Sequence, residues 1–331
     1  MTSASLSRRQ MLALASTTLA SAGLALPSVS RSAGERLSGR PVRVIVPFPA
    51  GGSGDTSTRM VTEMLARKLG VPVVVDNKPG ADSMIAVQEL LRSAPDGHTI
   101  MFGTPSALLY TPQLTPRKPP YDPLKDLAPI THFSSFSYFV YVNDELPVKS
   151  MGELVEYVHK NPNKVAYGTG DSTQLVAMAQ LCTQAKLAMI HVPYKGSSAA
   201  FLDFISNRIQ VMIAGFELVE QSKGKARPLA TLLTERSAVL PDVPALSESG
   251  LAPVTTKPWS AFFAPAKTPQ PIIEQLNAAF TSTFQDPKLQ EFFKSRGSIL
   301  SASTPEAMHQ ILVDQMPVFA QAIKAFNLQR D

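Results

Sequence analysis

From residue 40 onward, short runs of β-branched residues alternate with longer stretches in which apolar residues recur every three or four positions. The first kind of run is typical of buried strands, and the second is typical of helices with one buried face. In the first half of the chain they predict strands at residues 42–46, 71–75 and 99–102 and helices at residues 55–69 and 83–93. This β-α-β-α-β order predicts a parallel sheet covered on both faces by helices.

The same order restarts in the second half of the chain. The predicted strands lie at residues 164–167, 190–192, 209–213 and 228–233, and the predicted helices at residues 151–159, 172–184 and 198–206. Each half therefore contains a strand, a glycine-rich loop and a helix in succession, which we interpret as equivalent parts of two similar α/β domains. Three further helices, each with proline in its first turn, are predicted at residues 271–284, 287–295 and 305–326.

The N-terminal residues predict an export signal rather than a part of the fold. Arg8 and Arg9 precede an uncharged run that is rich in Ala, Leu and Ser and ends near Leu26. A membrane span takes about 20 strongly apolar residues, so this run is too short and too rich in small residues to be one. We therefore predict an export signal over residues 1–33, of the twin-arginine type because the two arginines are paired.

Charge and cysteine content exclude several classes of protein. Without Arg8, Arg9 and Arg31 the net charge of +5 falls to +2, which gives no electrostatic footprint for nucleic acid. The single cysteine, Cys182, excludes an internal disulfide. The five histidines show no metal-ligand spacing with another His, Cys or acid, so we predict no metal and no cofactor.

The first glycine-rich loop is the strongest candidate for a binding site. Glycines between a strand and a helix leave backbone N–H groups free at the positive end of the helix dipole, where a carboxylate or phosphate binds. Gly51 and Gly52 can reach positive φ and allow a ligand close approach, which a β-carbon would obstruct. The dinucleotide fingerprint fails because Ser57 stands where its third glycine belongs. The nucleophile elbow fails because Asp55 replaces its last glycine.

The second loop, residues 168–173, has the same order with more hydroxyl groups. Ser172 fits a ligand contact and a helix N-cap equally well. Asp171 would repel an anion if it pointed inward, so its alternatives are to cap the helix or to bind an amino group. Two interpretations are open for Lys195. It is either a cation that binds the ligand, or a charge at the surface or at a hinge, and we favour the second interpretation.

Seven stretches of the chain together carry a family resemblance. They are VPFPAGGSGD at 46–55, DNKPGA at 76–81, SAPDGHT at 93–99, YDPLKD at 121–126, HVPYKG at 191–196, LPDVPA at 240–245 and APAKTP at 264–269. In this order they resemble the extracytoplasmic solute receptors of tripartite tricarboxylate transporters, also called Bug-type receptors. Each stretch is weak alone, but seven in order over nearly the whole mature chain are specific.

The resemblance implies a two-lobed, periplasmic-binding-protein-like α/β fold with a ligand cleft between two similar domains. Lobe 1 is expected at residues 40–139 plus 260–331 and lobe 2 at residues 140–259. The implied protein is a periplasmic monomer without enzymatic activity. It captures a small carboxylate by hinge closure and delivers it to the membrane subunits of a transporter. Two alternatives remain open from the residues: a ligand sensor for a signalling partner, and a secreted serine hydrolase using Ser53 or Ser172.

The resemblance also implies which residues hold the ligand. They are Phe48, Ala50, Gly51, Gly52, Ser53, Asp55, Thr104, Thr169, Gly170, Asp171, Ser172, Thr173, Tyr194 and Lys195. This chain departs from the family pattern on its second-lobe side. Gln174 stands where members often have His, and Gln210, Ala214 and Gly215 occupy a stretch where members often have an acid and a polar residue.

Overall fold

The computed structural model describes residues 37, 39–114, 121–254 and 256–328, and the predicted export signal lies outside them. The strands are β1 (Val42–Val46), β2 (Val73–Asn77), β3 (Thr99–Gly103), β4 (Leu127–Phe136), β5 (Phe139–Asn143), β6 (Ala166–Thr169), β7 (Ile190–Pro193), β8 (Val211–Ala214), β9 (Ala226–Thr231), β10 (Trp259–Pro265) and β11 (Ser298–Leu300). They form two sheets, which are the centres of two α/β lobes, as the sequence predicts.

Helices connect and cover these strands. They are α1 (Ser53–Leu69), α2 (Met84–Arg92), α3 (Thr111–Leu114), α4 (Pro123–Asp126), α5 (Met151–Lys160), α6 (Ser172–Gln184), α7 (Ser197–Ile205), α8 (Glu217–Gln221), α9 (Gln270–Phe284), α10 (Pro287–Lys294) and α11 (Pro305–Ala325). Single turns of other helix types lie at Ala81–Ser83, Ser106–Tyr110 and Leu246–Ser249. Within the described residues, no helix is both long and apolar enough for a membrane crossing.

The first sheet has the strand order β11-β4-β10-β3-β1-β2. Its β1 pairs in parallel with β2 and β3, as predicted. Its other pairs are antiparallel: β10 with β3 and β4, and β11 with β4. The sequence therefore predicted the parallel part of this sheet but not its antiparallel strands β4, β10 and β11.

The second sheet has the order β7-β6-β8-β5-β9 and the same mixture of directions. Its β6 pairs in parallel with β7 and β8, while β5 pairs antiparallel with β8 and β9. The chain passes from the first sheet to the second between β4 and β5, and it returns between β9 and β10. We propose to keep the lobe limits drawn from the sequence, which lie next to these two crossings.

Buried apolar faces hold each lobe together. On the first sheet, Val61 and Leu65 of α1 share a core with Ile272 and Phe280 of α9, and all four side chains are fully buried or nearly so. Burial of a large apolar side chain contributes about 1.5–3 kcal/mol, so such a layer fixes where α1 begins and ends on the sheet. The start of α1 is thereby held at the edge of the cavity described next.

Candidate functional site

A cavity of about 360 Å³ is lined by residues from both sheets and their loops. One side consists of the loop after β1 and the first turn of α1. The opposite side consists of the loops after β6, β7 and β8. Aromatic side chains form much of the remaining wall: Phe48, Phe102, Phe133, Phe136, Tyr138, Trp259, Phe292 and Phe293.

The N-terminus of α1 is open to this cavity. Gly52 is its N-cap, with φ −74° and ψ 167°, and no side chain caps the helix. The first N–H groups of a helix have no partner inside the helix, and they lie at the positive end of its dipole. Ser53 and Gly54 line the cavity with backbone donors that are available to an anionic ligand, whereas the Gly52 N–H donates to the Pro49 carbonyl oxygen at 3.3 Å.

Asp55 supports this loop from behind instead of lining the cavity. Its buried carboxylate accepts hydrogen bonds from Gly51 N (2.9 Å), Arg59 Nε (2.9 Å) and Asn77 Nδ2 (2.9 Å). Burial acts to raise its pKa, but the bonds from Arg59, Gly51 and Asn77 together hold the pKa of Asp55 below its usual value. Asp55 therefore stays ionised and fixes the loop, and the Gly51 N–H is used within the loop.

The glycines of the first loop differ in backbone conformation. Gly51 has φ 81°, whereas Gly52 has φ −74°, so of these two glycines only Gly51 uses the positive φ that glycine allows. Gly51 needs its glycine because a side chain is strained at positive φ. A β-carbon on Gly52 would make only ordinary contacts, at 3.4 Å from the Pro49 carbonyl oxygen and 3.8 Å from Ser198 Oγ.

The loop after β6 is closed to anions by its own contacts. Asp171, rather than Ser172, is the N-cap of α6, and its carboxylate accepts from Gln174 N at 2.9 Å. Gly170 N donates to Gln174 Oε1 at 2.6 Å, and Ser172 N donates to Ser106 Oγ at 3.2 Å. Burial raises the pKa of Asp171 to about 6 despite the hydrogen bonds that it accepts. This loop therefore presents a carboxyl group to the cavity rather than a set of free donors.

The second open helix N-terminus belongs to α7, which the sequence analysis did not select. Its N-cap, Gly196, has φ 128°, and no side chain caps the helix. Ser197 and Ser198 line the cavity, and the Ser197 hydroxyl accepts from Gln174 Nε2 at 2.9 Å. The potential 3.8 Å contact between a β-carbon at Gly52 and Ser198 Oγ shows that α1 and α7 point their N-termini at the same space. A glycine directly before a serine pair and an apolar run was the sequence signal for this cap.

The predicted site residues fall into two groups. Seven line the cavity: Phe48, Gly51, Gly52, Ser53, Thr104, Asp171 and Thr173. Seven do not: Ala50, Asp55, Thr169, Gly170, Ser172, Tyr194 and Lys195.

Several residues of the second group have other structural roles. Thr169 Oγ1 lies 2.8 Å from His191 Nε2, and the Tyr194 hydroxyl donates to Asp203 at 2.8 Å. Ser172 is fully buried with its Oγ 3.5 Å from Thr111 Oγ1. Lys195 is exposed. The side chains of Thr169, Tyr194 and Ser172 thus make contacts within the protein instead of lining the cavity.

The charged residues of the cavity wall were mostly missed from the sequence. Besides Asp171, they are Glu217 and Glu220 of α8 and Arg296 after α10. Arg296 is exposed, and its guanidinium carbon lies 3.9 Å from the centroid of the Phe292 ring. Among the described residues, no group of three His, Cys, Asp or Glu is placed to hold a metal ion.

Comparisons with known proteins support the family resemblance. The sequence model of the family described as "Tripartite tricarboxylate transporter family receptor" matches residues 57–328. Protein BugT of Bordetella pertussis is 30% identical over 321 residues, which cover 95% of this chain and 97% of the relative.

Two solved structures, both with bound ligands, share the fold. Rpa4515 of R. palustris, solved with adipate, has a TM-score of 0.82 at 26% identity and covers 87% of this chain and 97% of its own. MatC of Rhodopseudomonas palustris, solved with malate, has a TM-score of 0.80 at 25% identity and covers 86% of this chain and 99% of its own. Together with the family match, they show that the chain belongs to the receptor family of tripartite tricarboxylate transporters and that its role is solute binding.

Proposed function

We propose that this receptor binds a small carboxylate between the N-termini of α1 and α7 and delivers it to the membrane subunits of a transporter. The observation that carries the proposal is the convergence of two uncapped helix N-termini at Gly52 and Ser198. The adipate and malate complexes of similar receptors support a carboxylate as the ligand class. The proposed place of action is the periplasm, and the proposed form is a monomer.

The physical reason for this site is that the two helix N-termini present backbone N–H donors that have no competing acceptor. Each helix N-terminus carries about half a positive charge and several N–H groups without an intrahelical partner. A hydrogen bond to a charged oxygen contributes about 1.5–3 kcal/mol. Two helices, one from each lobe, therefore hold a carboxylate without a cationic side chain.

Hinge closure follows from the distribution of these donors. The α1 terminus belongs to the first lobe and the α7 terminus to the second, so a ligand that contacts both stabilises the closed arrangement relative to the open one. We propose that the transporter recognises this closed form.

Neither a sensor nor a secreted serine hydrolase is favoured, and the proposed serine of the second loop, Ser172, is fully buried.

Titration calorimetry of Ser53→Pro and Ser53→Ala tests the site. Proline is favoured at the first position of a helix, so Ser53→Pro removes one N–H while preserving α1. We expect the proline variant to bind carboxylates about tenfold more weakly or worse, since one charged hydrogen bond is lost. Ser53→Ala, which keeps the N–H, should bind as the wild type does.

Uncharged carboxamide analogues of the same ligands provide a second comparison. They should bind far more weakly than the acids, because the two helix N-termini favour a full negative charge. Equal affinity of acids and amides, or equal affinity of the proline and alanine variants, would contradict the proposed site.

A further inference from the structure

Glu217 occupies an unusual place in the cavity wall. It is the first residue of α8, three positions after the last residue of β8, and it is half-buried. Its side chain folds back over Gly215, where a β-carbon would lie 2.9 Å from the Glu217 carboxyl carbon. The absence of a side chain at Gly215 therefore gives the carboxylate its position at the cavity.

The Glu217 carboxylate has no partner in another residue among those that the structure describes. Its single hydrogen bond is to its own backbone N–H. The nearby Tyr141 hydroxyl is already used, because it donates to the Gly215 carbonyl oxygen at 3.1 Å. Burial raises the pKa of Glu217, and no cation or side-chain hydrogen bond offsets that rise, although the hydroxyls of Tyr138 and Tyr141 lie near enough to interact with its charge. An acid that is partly removed from water and has no partner is costly to the fold unless a ligand supplies that partner.

The charges of the cavity wall are unevenly distributed between the lobes. The second lobe contributes three acids, Asp171, Glu217 and Glu220, and no basic side chain. The first lobe contributes Arg296, which is exposed. Its guanidinium group stacks on the Phe292 ring and donates to the Phe292 carbonyl oxygen at 3.3 Å. A ligand with one carboxylate at the helix N-termini would therefore place its second polar group beside acids.

We propose that Glu217 selects a ligand that carries a primary ammonium group in addition to its carboxylate, so that this receptor prefers amino acids in the broad chemical sense to dicarboxylates. The inference rests on the proposed carboxylate site. A second carboxylate would meet like charge on the second lobe, whereas an ammonium group would supply the partner that Glu217 lacks. In this respect the chain would differ from the similar receptors solved with the diacids adipate and malate.

Length-matched ligand pairs test the selection directly. Each pair has a diacid and an amino acid of equal length: succinate with 4-aminobutanoate, glutarate with 5-aminopentanoate, and adipate with 6-aminohexanoate. α-Amino acids extend the series to short separations, and unsubstituted monocarboxylates serve as the reference. By titration calorimetry, we expect the best amino acid to bind about tenfold more tightly than its matched diacid, or better.

Three variants assign the preference to Glu217. In Glu217→Gln, the affinity for the amino acid should fall about tenfold or more, while the monocarboxylate reference is unchanged. Gly215→Ala keeps the charge but displaces the Glu217 carboxylate, so it should also lower the affinity for the amino acid. Glu220→Gln makes the same change in net charge on the same helix and should have a small effect. An equal effect of Glu217→Gln and Glu220→Gln would mean that the ammonium group responds to the overall negative charge of the cavity wall. It would overturn the specific role of Glu217.

The outcomes separate this inference from the proposed function. If no carboxylate of any kind binds, the proposed function fails and the inference fails with it. If monocarboxylates bind but the amino acids show no advantage over the diacids, only the inference is overturned. A diacid that binds tightly and is lost in Arg296→Gln would identify Arg296 as the second anchor and would also overturn it. A diacid that binds equally well to the wild type and to Glu217→Gln would show that Glu217 does not repel a second carboxylate, which is again contrary to the proposal.

Discussion

Gly170 lies in direct contact with the backbone of Ser197, the first residue of α7. A β-carbon on Gly170 would lie 2.5 Å from Ser197 Cα, closer than real β-carbons approach other atoms. Gln174 joins the same two residues, because its Oε1 accepts from Gly170 N and its Nε2 donates to Ser197 Oγ. The loop after β6 therefore supports the N-terminus of α7, and it would act on the proposed ligand through that helix.

The first prediction concerns the substitution Gly170→Ala. Because the atoms in the way are backbone, the N-terminus of α7 has to move, and overpacking of this kind costs about 1–3 kcal/mol. We expect a lower free energy of unfolding and a loss of carboxylate affinity of about tenfold or more. Gly152→Ala is the control, since the nearest atom to its β-carbon is Ser150 Oγ at 3.9 Å. Wild-type affinity in Gly170→Ala would show that α7 does not hold the ligand.

The second prediction concerns Gln174, which stands where members of the family often have His. Gln174→Ala leaves Gly170 N and Ser197 Oγ without a partner in a buried region, at a cost of about 1–3 kcal/mol. We expect weaker carboxylate binding in calorimetry together with a lower melting temperature. Gln310→Ala, at an exposed position of α11, is the control and should change neither quantity. Unchanged binding in Gln174→Ala would show that the Gln174 amide is not needed to hold the N-terminus of α7 in its ligand-binding position.

The third prediction separates binding from stability at Gly54. A β-carbon on Gly54 would lie 2.7 Å from Phe48 Cδ2, and the Phe48 ring in turn packs edge-on against Phe102 at 6.1 Å. Gly54→Ala should displace the Phe48 ring and weaken ligand binding. The same change removes a glycine from a helix, which favours the fold by up to about 1 kcal/mol. Urea unfolding should therefore show equal or higher stability while calorimetry shows lower affinity. A fall in both quantities would contradict the expectation that the substitution displaces only the Phe48 ring.

Local patterns sufficed for the elements that are amphipathic by themselves. The helix predicted at residues 172–184 is observed at Ser172–Gln184, and the strand predicted at 42–46 is β1. The strand predicted at 71–75 is observed at Val73–Asn77, two residues later. The missed strands β4 and β10 pair with each other across more than a hundred residues, and β10 is buried along its whole length, so neither shows the alternation that marks a half-buried strand.

The site was predictable where the chemistry is local and not where it depends on the fold. The strand, glycine loop and helix order correctly indicated the open N-terminus of α1. For Asp171 the sequence left capping and amine binding open, and the structure shows that it caps α6 while it lines the cavity. Glu217 could not be selected, because only the fold brings it to the cavity and over Gly215. Its surroundings, rather than its identity, distinguish it from the other acids of the chain.

The last prediction is a pH dependence of stability that arises from Asp171. Burial raises its pKa to about 6 in the folded protein, against a usual value of 3.8, and Asp82 adds to this by like-charge repulsion. The hydroxyls of Tyr110 and Tyr138 also face Asp171, but burial raises their pKa values further above neutrality, so they do not titrate in this range. Between about pH 4 and 6 the folded state therefore binds more protons at this site than the unfolded state.

Since the folded state binds the extra proton, the contribution of Asp171 to stability is greatest below pH 4, falls as pH rises to about 6 and is constant above. A shift of this size corresponds to about 3 kcal/mol. Asp171→Asn keeps the helix cap, because Asn and Asp are equivalent N-caps, but it cannot titrate. Urea unfolding of both proteins across this range should give a difference in unfolding free energy that grows with pH in favour of the variant. The difference matters more than either curve, because the raised pKa of Glu217 acts in the same direction and the lowered pKa of Asp55 in the opposite one. Parallel curves would mean that Asp171 is ionised throughout and that its hydrogen bonds from the α6 backbone outweigh its burial.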